Sequence, residues 1–324
     1  MSPYKICTQC VMDTTDPDIV FDEKGICNHC HAYEESLSGR VFDNAMASTK
    51  LNQLVEQIKA AGKGKDYDCL IGVSGGVDST YVAYLVKKLG LRPLAIHLDN
   101  GWNSELAVKN IENVLTKMDI DLYTYVINWE EFRSLQLAFL KGSTPDGEIP
   151  SDHAIFSLLF NEAGKRGIKH IITGMNYKTE SILPKAWAQG HLDWKYIKGL
   201  NKQFGNRALK TFPRITINKL FYHWAIKRTK YVSILNYIDY NKEAVMSVLQ
   251  DELGWKYYGG KHYESVYTRF YQSYILPEKF NIDKRRAHYS NLVLAGQMQR
   301  DQALAELEKP TCEPAMVAED VDFA

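Results

Sequence analysis

Long apolar runs and an excess of either charge are missing from this sequence. No uncharged run approaches the ~18 residues that a membrane-spanning helix needs, and the first residues, MSPYKICTQC, lack the apolar region of a secretory signal. The 39 basic and 39 acidic side chains cancel, so the overall charge gives no sign of nucleic-acid binding. These absences predict a soluble cytoplasmic protein with no membrane segment, and they make nucleic acid an unexpected partner.

Cysteine is scarce, and four of the six cysteines form two pairs. The pairs are Cys7-Thr-Gln-Cys10 and Cys27-Asn-His-Cys30. In a reducing compartment such pairs are typical of metal sites rather than disulfides, although redox chemistry is an alternative. Four thiolates suit a closed tetrahedral zinc site, which has a structural role because it leaves no position for substrate. Residues 1–35 are therefore predicted to form a zinc-knuckle module.

Short apolar runs alternate with helical patterns along the middle of the chain. This alternation predicts an α/β fold with a doubly wound parallel sheet over residues 48–183. Residues 184–308 are predicted to be mainly helical and to contact substrate or a partner, and residues 309–324 to form a flexible tail. The predicted strands are Cys69–Val73, Pro93–Leu98, Leu122–Ile127 and His170–Thr173, and the predicted helices between them are Ser79–Leu89, Ser104–Met118 and Asp152–Arg166.

The turn after the first strand resembles a phosphate-binding loop but lacks its lysine. The stretch CLIGVSGGVDST has no Gly-Lys-Ser/Thr triplet, which argues against transfer of a terminal phosphoryl group. Glycines let the backbone approach a ligand, and a following helix offers free amide groups to an anion. A plain turn capped by Asp78 or Ser79 is the alternative. The predicted phosphate ligands are Ser74, Gly75, Gly76, Asp78 and Ser79.

Polar residues also follow the other predicted strands, and such residues gather at one edge of a parallel sheet. Asp99 is predicted to bind a ribose hydroxyl or a metal-bound water, with a helix cap as the alternative. Gly174 permits close backbone approach, and Asn176 is a neutral donor. Glu180, together with Asp78, is predicted to hold Mg²⁺, which would neutralise phosphate charge.

Two residues at the start of the third predicted helix have an ambiguous role. Asp152 and His153 could form a plain cap, or they could face the substrate as catalytic groups, since a histidine moves protons near neutral pH. Arg269 is predicted to bind an anionic substrate, although exposure to solvent is the alternative. The basic run Lys284-Arg285-Arg286 has the same two interpretations.

The segments carrying these motifs resemble a known family. SGGVDS is similar to the pyrophosphate loop of the ATP-pyrophosphatase (PP-loop, or adenine nucleotide alpha-hydrolase) superfamily, which implies cleavage of ATP to AMP and pyrophosphate. Across most of the chain the pattern resembles the N-acetyl sugar amidotransferases of bacterial surface-polysaccharide synthesis. The segments that carry this resemblance are KICTQCVMDTTDPDI, GICNHC, SGGVDS, HLDNGWN, ITGMNYKTES, GGKHYESVYTRFYQ and LPEKFNIDKRRAH.

The resemblance implies a reaction and a set of ligands. Such enzymes convert the acetamido group of a nucleotide-linked sugar into an acetamidino group, with ATP, Mg²⁺ and structural Zn²⁺. A late lysine returns to the phosphates, and Lys261 in the turn GGKHYES is the candidate. His262 and Glu264 in the same turn are predicted to bind substrate.

The reaction needs ammonia, and the sequence has no Gly-x-Cys-x-Gly elbow for hydrolysing glutamine. A separate glutaminase chain is therefore expected, and the resemblance implies a cyclase-like subunit that channels the ammonia. The main alternative is a tRNA-thiolating enzyme, because those also combine zinc knuckles with this loop. Sulfur relay needs free cysteines near the loop, however, and only Cys69 and Cys312 remain. A different amidating synthetase and a non-catalytic assembly protein are further alternatives.

Overall fold

A five-stranded parallel sheet forms the centre of the computed structural model, which describes residues 3–42 and 46–323. The strand order β3-β2-β1-β4-β5 is that of a doubly wound sheet, so the predicted fold class is confirmed. Each of the four predicted strands lies within one residue of its predicted limits. The strands are β1 (Cys69–Gly72), β2 (Pro93–Asp99), β3 (Asp121–Val126), β4 (His170–Thr173) and β5 (Lys230–Ser233).

Helices cover both faces of this sheet. Consecutive residues of β1 belong to different apolar cores: Leu70 packs in the core that contains Leu159, and Ile71 in the core that contains Val82. Side chains alternate across a strand, so both faces of a central strand must be apolar. None of the described helices is long and apolar enough to cross a membrane.

The helices that the structure describes are distributed along the whole chain, and a π-helical turn, Tyr271–Ile275, joins two of them. They are α1 (Asn28–Leu37), α2 (Ala47–Gly62), α3 (Val77–Lys88), α4 (Glu105–Lys117), α5 (Trp129–Lys141), α6 (Ile149–Arg166), α7 (Tyr177–Glu180), α8 (Trp194–Phe204), α9 (Ile217–Ala225), α10 (Lys242–Leu253), α11 (Val266–Phe270), α12 (Leu276–Phe280), α13 (Lys284–Leu294), α14 (Arg300–Glu308) and α15 (Pro314–Phe323).

The last strand of the sheet was not predicted. β5 pairs in parallel with β4, as in His170 opposite Lys230, so the segment expected to be mainly helical supplies one edge of the sheet. The strand is four residues long and its first two side chains are exposed. A short edge strand of this kind carries little apolar periodicity, and sequence pattern alone therefore misses it.

The segment after Pro310 differs from the flexible tail that we expected. Residues Pro314–Phe323 form α15, which packs against α11. Asp320 on this helix is 1% exposed and accepts a hydrogen bond from Arg269 Nε at 3.1 Å. The acidic composition suggested a solvated tail, but this carboxylate is neutralised by a distant arginine and the helix is held in place.

Candidate active site and metal centre

The phosphate loop lies at the carboxyl end of β1, and α3 begins immediately after it. Gly76 is the N-cap residue of α3, so the first amide groups of the helix point toward the loop and favour an anion. The Ser74 and Ser79 hydroxyls are 3.1 Å apart, and the Gly76 amide donates to Ser74 Oγ at 3.3 Å. The loop therefore presents two hydroxyls beside the N-terminus of α3, whose first amide, that of Val77, donates to the Tyr258 hydroxyl at 3.2 Å.

Two glycines are required here for different reasons. Gly75 has a φ of +80°, and a Cβ on it would lie 2.5 Å from the Ala107 carbonyl oxygen. Its own carbonyl accepts a hydrogen bond from Trp255 Nε1 at 2.9 Å. Gly75 therefore shapes the loop. It does not line the cavity described below, where its predicted contact with phosphate would be made. Gly174, at the end of β4, would place a Cβ 2.9 Å from the backbone carbon of Asp78.

A cavity of about 440 Å³, here called the loop cavity, opens at these strand ends. The loop forms one wall, and the turn around residue 261 with the ends of α6 and α10 forms the others. The charged residues that line it are Asp78, Glu148, Asp152, Glu180, Lys242, Lys261, Glu264 and Lys284. The arrangement brings together ten of the residues predicted from sequence: Ser74, Gly76, Asp78, Ser79, Asp152, Gly174, Glu180, Lys261, His262 and Glu264.

Asp78 belongs to the loop, and Glu180 is near enough to interact with it electrostatically. Asp78 accepts a very short hydrogen bond from the Tyr240 hydroxyl, and burial together with Glu180 raises the pKa of Asp78. Glu180 pairs with Lys261 at 3.1 Å. Burial alone would raise the pKa of Glu180, but Lys261, His262 and Lys242 together outweigh it and lower the pKa. Two adjacent carboxylates fit Mg²⁺, which is usually held by one or two carboxylates together with substrate phosphates.

Lys242, at the start of α10, is a cation that we did not predict. Among the described residues its ammonium group has no ion-pair partner within 4.0 Å. Burial lowers the pKa of Lys242, and the positive charge of Lys261 lowers it further, while Asp78 opposes both. Nothing in the sequence marks Lys242 as a site residue, because a lysine that begins a distant helix looks like any solvent-exposed lysine.

A second charged cluster lies across the cavity from the loop. Glu148 accepts hydrogen bonds from Gln272 at 2.7 Å and from Lys284 at 3.1 Å. Burial alone would raise the pKa of Glu148. The charge of Lys284 and the hydrogen bonds from Gln272 and Lys284, with the charge of His262, outweigh burial and lower this pKa. Although the Asp152 side chain is exposed to the cavity, the poorly solvated surroundings there, Glu148 and Asp146 raise its pKa to about 7. A carboxyl group with this pKa can accept or release a proton near neutral pH.

Glu264 joins the turn that carries Lys261 to the start of α4, beside the loop. The Glu264 carbonyl accepts from the Ser104 amide at 2.9 Å, and its carboxylate lies 3.7 Å from His262 Nδ1. The same carboxylate would be 3.0 Å from a Cβ on Gly76. Its second oxygen has no hydrogen-bond partner among the described residues. Glu264 therefore offers a further oxygen ligand beside Asp78 and Glu180.

Three predicted site residues point elsewhere. His153 is fully buried, accepts from the Ile215 amide at 3.3 Å and lies 2.6 Å from the His191 carbonyl oxygen, so the prediction that it is catalytic is wrong. Asp99 Oδ1 accepts from the Gly101 amide at 3.0 Å, and Asn100 lines the cavity instead. Asn176 caps α7 by accepting from the Thr179 amide. Asp99 therefore closes a local turn and is not the helix cap that was its alternative, since Ser104 caps α4; the capping role of Asn176 was not predicted.

A second cavity, of about 670 Å³, adjoins the first and is here called the C-terminal cavity. Its walls come from residues 257–263, α13 and the chain near residue 310. Arg269 lines it, as a substrate-binding prediction requires, but the arginine also pairs with buried Asp320. The residues that line both cavities are Glu180, Lys242, Lys261, His262, Gln272 and Lys284.

The four paired cysteines come together at the N-terminus. All are fully buried, and their sulfur atoms lie within 4.8 Å of one another. Cys7 and Cys30, Cys10 and Cys27, and Cys27 and Cys30 are each 3.7 Å apart. A tetrahedron with zinc–sulfur bonds of ~2.3 Å has edges of ~3.8 Å. The cluster therefore fits a closed zinc site.

Hydrogen bonds around the cluster favour thiolates and fix its position. The amides of Gln9, Cys10 and Cys27 donate to Cys7 Sγ at 3.2–3.5 Å. Arg300 donates to the carbonyl oxygens of Cys7 and Cys10, and Arg286 pairs with Asp13 at 3.0 Å. The knuckles are thus attached to the C-terminal helices. One member of the basic run, predicted to bind substrate or face solvent, serves this attachment.

Two segments of the chain match known protein families. Residues 48–145 match the family described as NAD synthase, and residues 264–324 match the C-terminal domain of WbpG-like LPS biosynthesis proteins. The first match places the loop domain in the PP-loop ATP-pyrophosphatase class. Together the matches confirm the predicted resemblance to a PP-loop family of bacterial surface-polysaccharide synthesis.

Individual relatives match about a third of the chain. The GMP synthase [glutamine-hydrolyzing] of Pyrobaculum aerophilum is 34% identical over 94 residues, which is 29% of this chain and 18% of that protein. The tRNA-specific 2-thiouridylase MnmA of Desulfosudis oleivorans is 30% identical over 112 residues, 33% of this chain and 31% of that protein. The chain thus spans less than a third of either relative. The NMN synthetase from Francisella tularensis aligns over 91% of this chain and 95% of its own, with 15% identity and a TM-score of 0.37.

Proposed function

We propose that the protein is an ATP-dependent, AMP-forming amidotransferase. It would transfer AMP to the acetamido oxygen of a nucleotide-linked N-acetyl sugar, and ammonia would then replace that oxygen to give an acetamidino group. The observation that carries this proposal is the junction of two cavities. The loop cavity has the charges that a nucleotide triphosphate needs, and the C-terminal cavity adjoins it at Glu180 and Lys261, so two substrates can meet there.

The loop cavity supplies what AMP formation requires. Ser74, Ser79 and the first amides of α3 would bind the departing pyrophosphate. Lys261 brings from a distant turn the positive charge that the loop itself lacks. Asp78 and Glu180 would hold Mg²⁺, which supplies charge neutralisation to the leaving group.

Adenylation solves the central problem of the chemistry. The oxygen of an amide cannot leave when ammonia attacks, whereas an oxygen bonded to AMP leaves readily. Asp152, with a pKa of about 7, would accept the proton that the attacking nitrogen loses. Gln272 and Lys284 hold Glu148 beside it, which orients this side of the cavity before substrate binds.

The ammonia would come from a separate glutaminase chain, with a cyclase-like subunit to channel it. Cys69 is buried in β1, and burial raises the pKa of its thiol well above the ordinary range. Four other cysteines form the metal cluster, and Cys312 lies beyond the C-terminal end of α14. None of the six is therefore placed as a nucleophile beside the loop cavity.

We propose that this partner docks on α9. Three apolar side chains of α9 and that of the residue after the helix are exposed by 60–77%. They are Ile217, Phe221 and Trp224 in α9, and Ile226 after it. Residues 194–238 contain seven Lys, three Arg and no Asp or Glu, although the whole chain is neutral. A single-sign rim around exposed aromatic side chains suits a partner protein with an acidic face. The double change Phe221→Asp with Trp224→Asp should abolish glutamine-dependent amidation in the cell that makes the protein, and added ammonium should restore it. Failure of ammonium to restore amidation would contradict this docking site.

The reaction can be tested directly with purified protein. The protein is mixed with Mg-ATP, a high concentration of ammonium salt and each of a panel of acetamido nucleotide-sugars. The reaction is followed by phosphorus NMR. We expect AMP and pyrophosphate to form only with a particular sugar, and Ser79→Ala to reduce turnover while the exposed Ser247→Ala does not. ADP and phosphate as products would refute the proposal.

A tRNA-thiolating enzyme is the second candidate, favoured by the match to MnmA over 112 residues. The position of the cysteines argues against it, because neither Cys69 nor Cys312 lies beside the loop. Pyrophosphate release that depends on tRNA, with no response to any sugar of the panel, would establish this candidate instead.

A further inference from the structure

The C-terminal cavity has aromatic walls. Tyr257, Tyr263 and Tyr289 line it, and none of their hydroxyls hydrogen-bonds to another described residue. Tyr257 is 49% exposed, although tyrosines that serve packing are usually buried. Aromatic faces open to a cavity are suited to stacking on a base or a sugar.

A polar group without a partner also lies in this cavity. Ser273 is 8% exposed, and among the described residues its hydroxyl has no hydrogen-bond partner. It belongs to the π-helical turn Tyr271–Ile275, and turns of this kind occur frequently at functional sites because they change the direction of side chains. A buried hydroxyl is costly to leave unpaired, so a ligand that bonds to it would be favoured.

Lys242 completes the set at the junction of the two cavities. It lines both of them, and its ammonium group has no ion-pair partner among the described side chains, as noted above. Lys261, by contrast, is paired with Glu180 at 3.1 Å. An unpaired lysine in a confined site is suited to a phosphate, which would give its ammonium group a direct partner.

We infer that the C-terminal cavity is the binding site for the nucleotide part of the acceptor. The base would stack on the tyrosines, a phosphate would contact Lys242, and the sugar would extend past the junction toward Gln272 and Asp152 in the loop cavity. ATP and acceptor would then bind side by side, with the acetamido oxygen placed beside the nucleotide that occupies the loop cavity. This assignment rests on the proposed function for the identity of the acceptor.

The site can be tested by binding without turnover. UDP and CMP are titrated calorimetrically into the full chain that is saturated with α,β-methylene ATP. We expect one of the two to bind alongside the analogue. Tyr289→Leu and Ser273→Ala should each weaken that binding, Tyr289→Leu by about tenfold or more, and change the affinity for the ATP analogue less than twofold. Tyr222→Leu, on α9 outside the cavity, is the matched control and should change neither affinity.

Each outcome decides the assignment. Binding of UDP indicates a diphosphate carrier, and binding of CMP indicates a monophosphate carrier. Competition of the bound nucleotide with the ATP analogue, unchanged affinity in both cavity variants, or no binding of either nucleotide would overturn the inference. The turnover experiment tests the proposed reaction separately from this binding experiment. If the chain binds UDP in this cavity but forms no AMP with any sugar, the assignment of the site stands and the proposed reaction is refuted.

Discussion

Gly174 should control the phosphate loop although it belongs to another strand. A Cβ at this position would lie 2.9 Å from the backbone carbon of Asp78 and 3.0 Å from the Ser79 nitrogen. Backbone atoms cannot rotate away as a side chain can, so Gly174→Ala must displace the first turn of α3. Restoring an ordinary contact requires a shift of about 0.5 Å, and overpacking of this kind costs about 1–3 kcal/mol of unfolding free energy.

The displaced atoms are those that would bind pyrophosphate, so the effect on nucleotide binding should exceed the effect on stability. A misplacement approaching 1 Å can cost about a hundredfold in rate, and we expect the affinity for α,β-methylene ATP to fall about tenfold. Calorimetry measures the affinity, and thermal denaturation measures the stability. Gly199→Ala is the control, because nothing lies within 4 Å of its added Cβ and alanine should stabilise α8 by about 0.5–1 kcal/mol. Wild-type affinity in Gly174→Ala would refute the close approach of β4 to the loop.

Three further changes test other parts of the structure. Cys10→Ser should abolish zinc binding in elemental analysis and lower the melting temperature, whereas Cys312→Ser should do neither; a metal-free wild-type chain purified without chelators would contradict the cluster. Asp152 keeps its proton in the folded state up to a pH of about 7, so its stabilising contribution is lost as the pH rises from about 4 to 7. Asp152→Asn should therefore raise the melting temperature relative to wild type at pH 8 but not at pH 4, and an equal difference at both values would show that the pKa is not raised. Asp320→Ala should cost about 3 kcal/mol in denaturant unfolding, because it leaves Arg269 without its partner; an unchanged midpoint would mean that α15 does not pack as described.

Local motifs were accessible from the sequence because their geometry depends on neighbouring residues. The Ser-Gly-Gly turn follows an apolar strand and precedes a helix, and its shape depends on φ values that glycine allows. The cysteine pairs are similar, since two residues of spacing place both sulfurs on one knuckle. These features predicted the loop and the metal cluster.

Asp152 and His153 show where such prediction stops. The two residues were singled out together, yet only Asp152 faces the cavity, while His153 bonds to the Ile215 amide in the core. Neighbours on a helix point about 100° apart, so at most one of them can face a given side. Which one faces the site depends on how α6 packs on the sheet, and its sequence does not state this.

The amino-acid sequence by itself determined the fold class, the phosphate loop and the cysteine cluster, because each depends on local periodicity, spacing or backbone freedom. Only the tertiary structure decided which charges meet at the loop. Lys242, Glu148 and Tyr240 come from segments far apart in the chain, and their approach depends on how helices pack across the strand ends. Electrostatic sites are built from such distant groups, because a buried charge needs a partner and the nearest residue in sequence seldom points in the right direction.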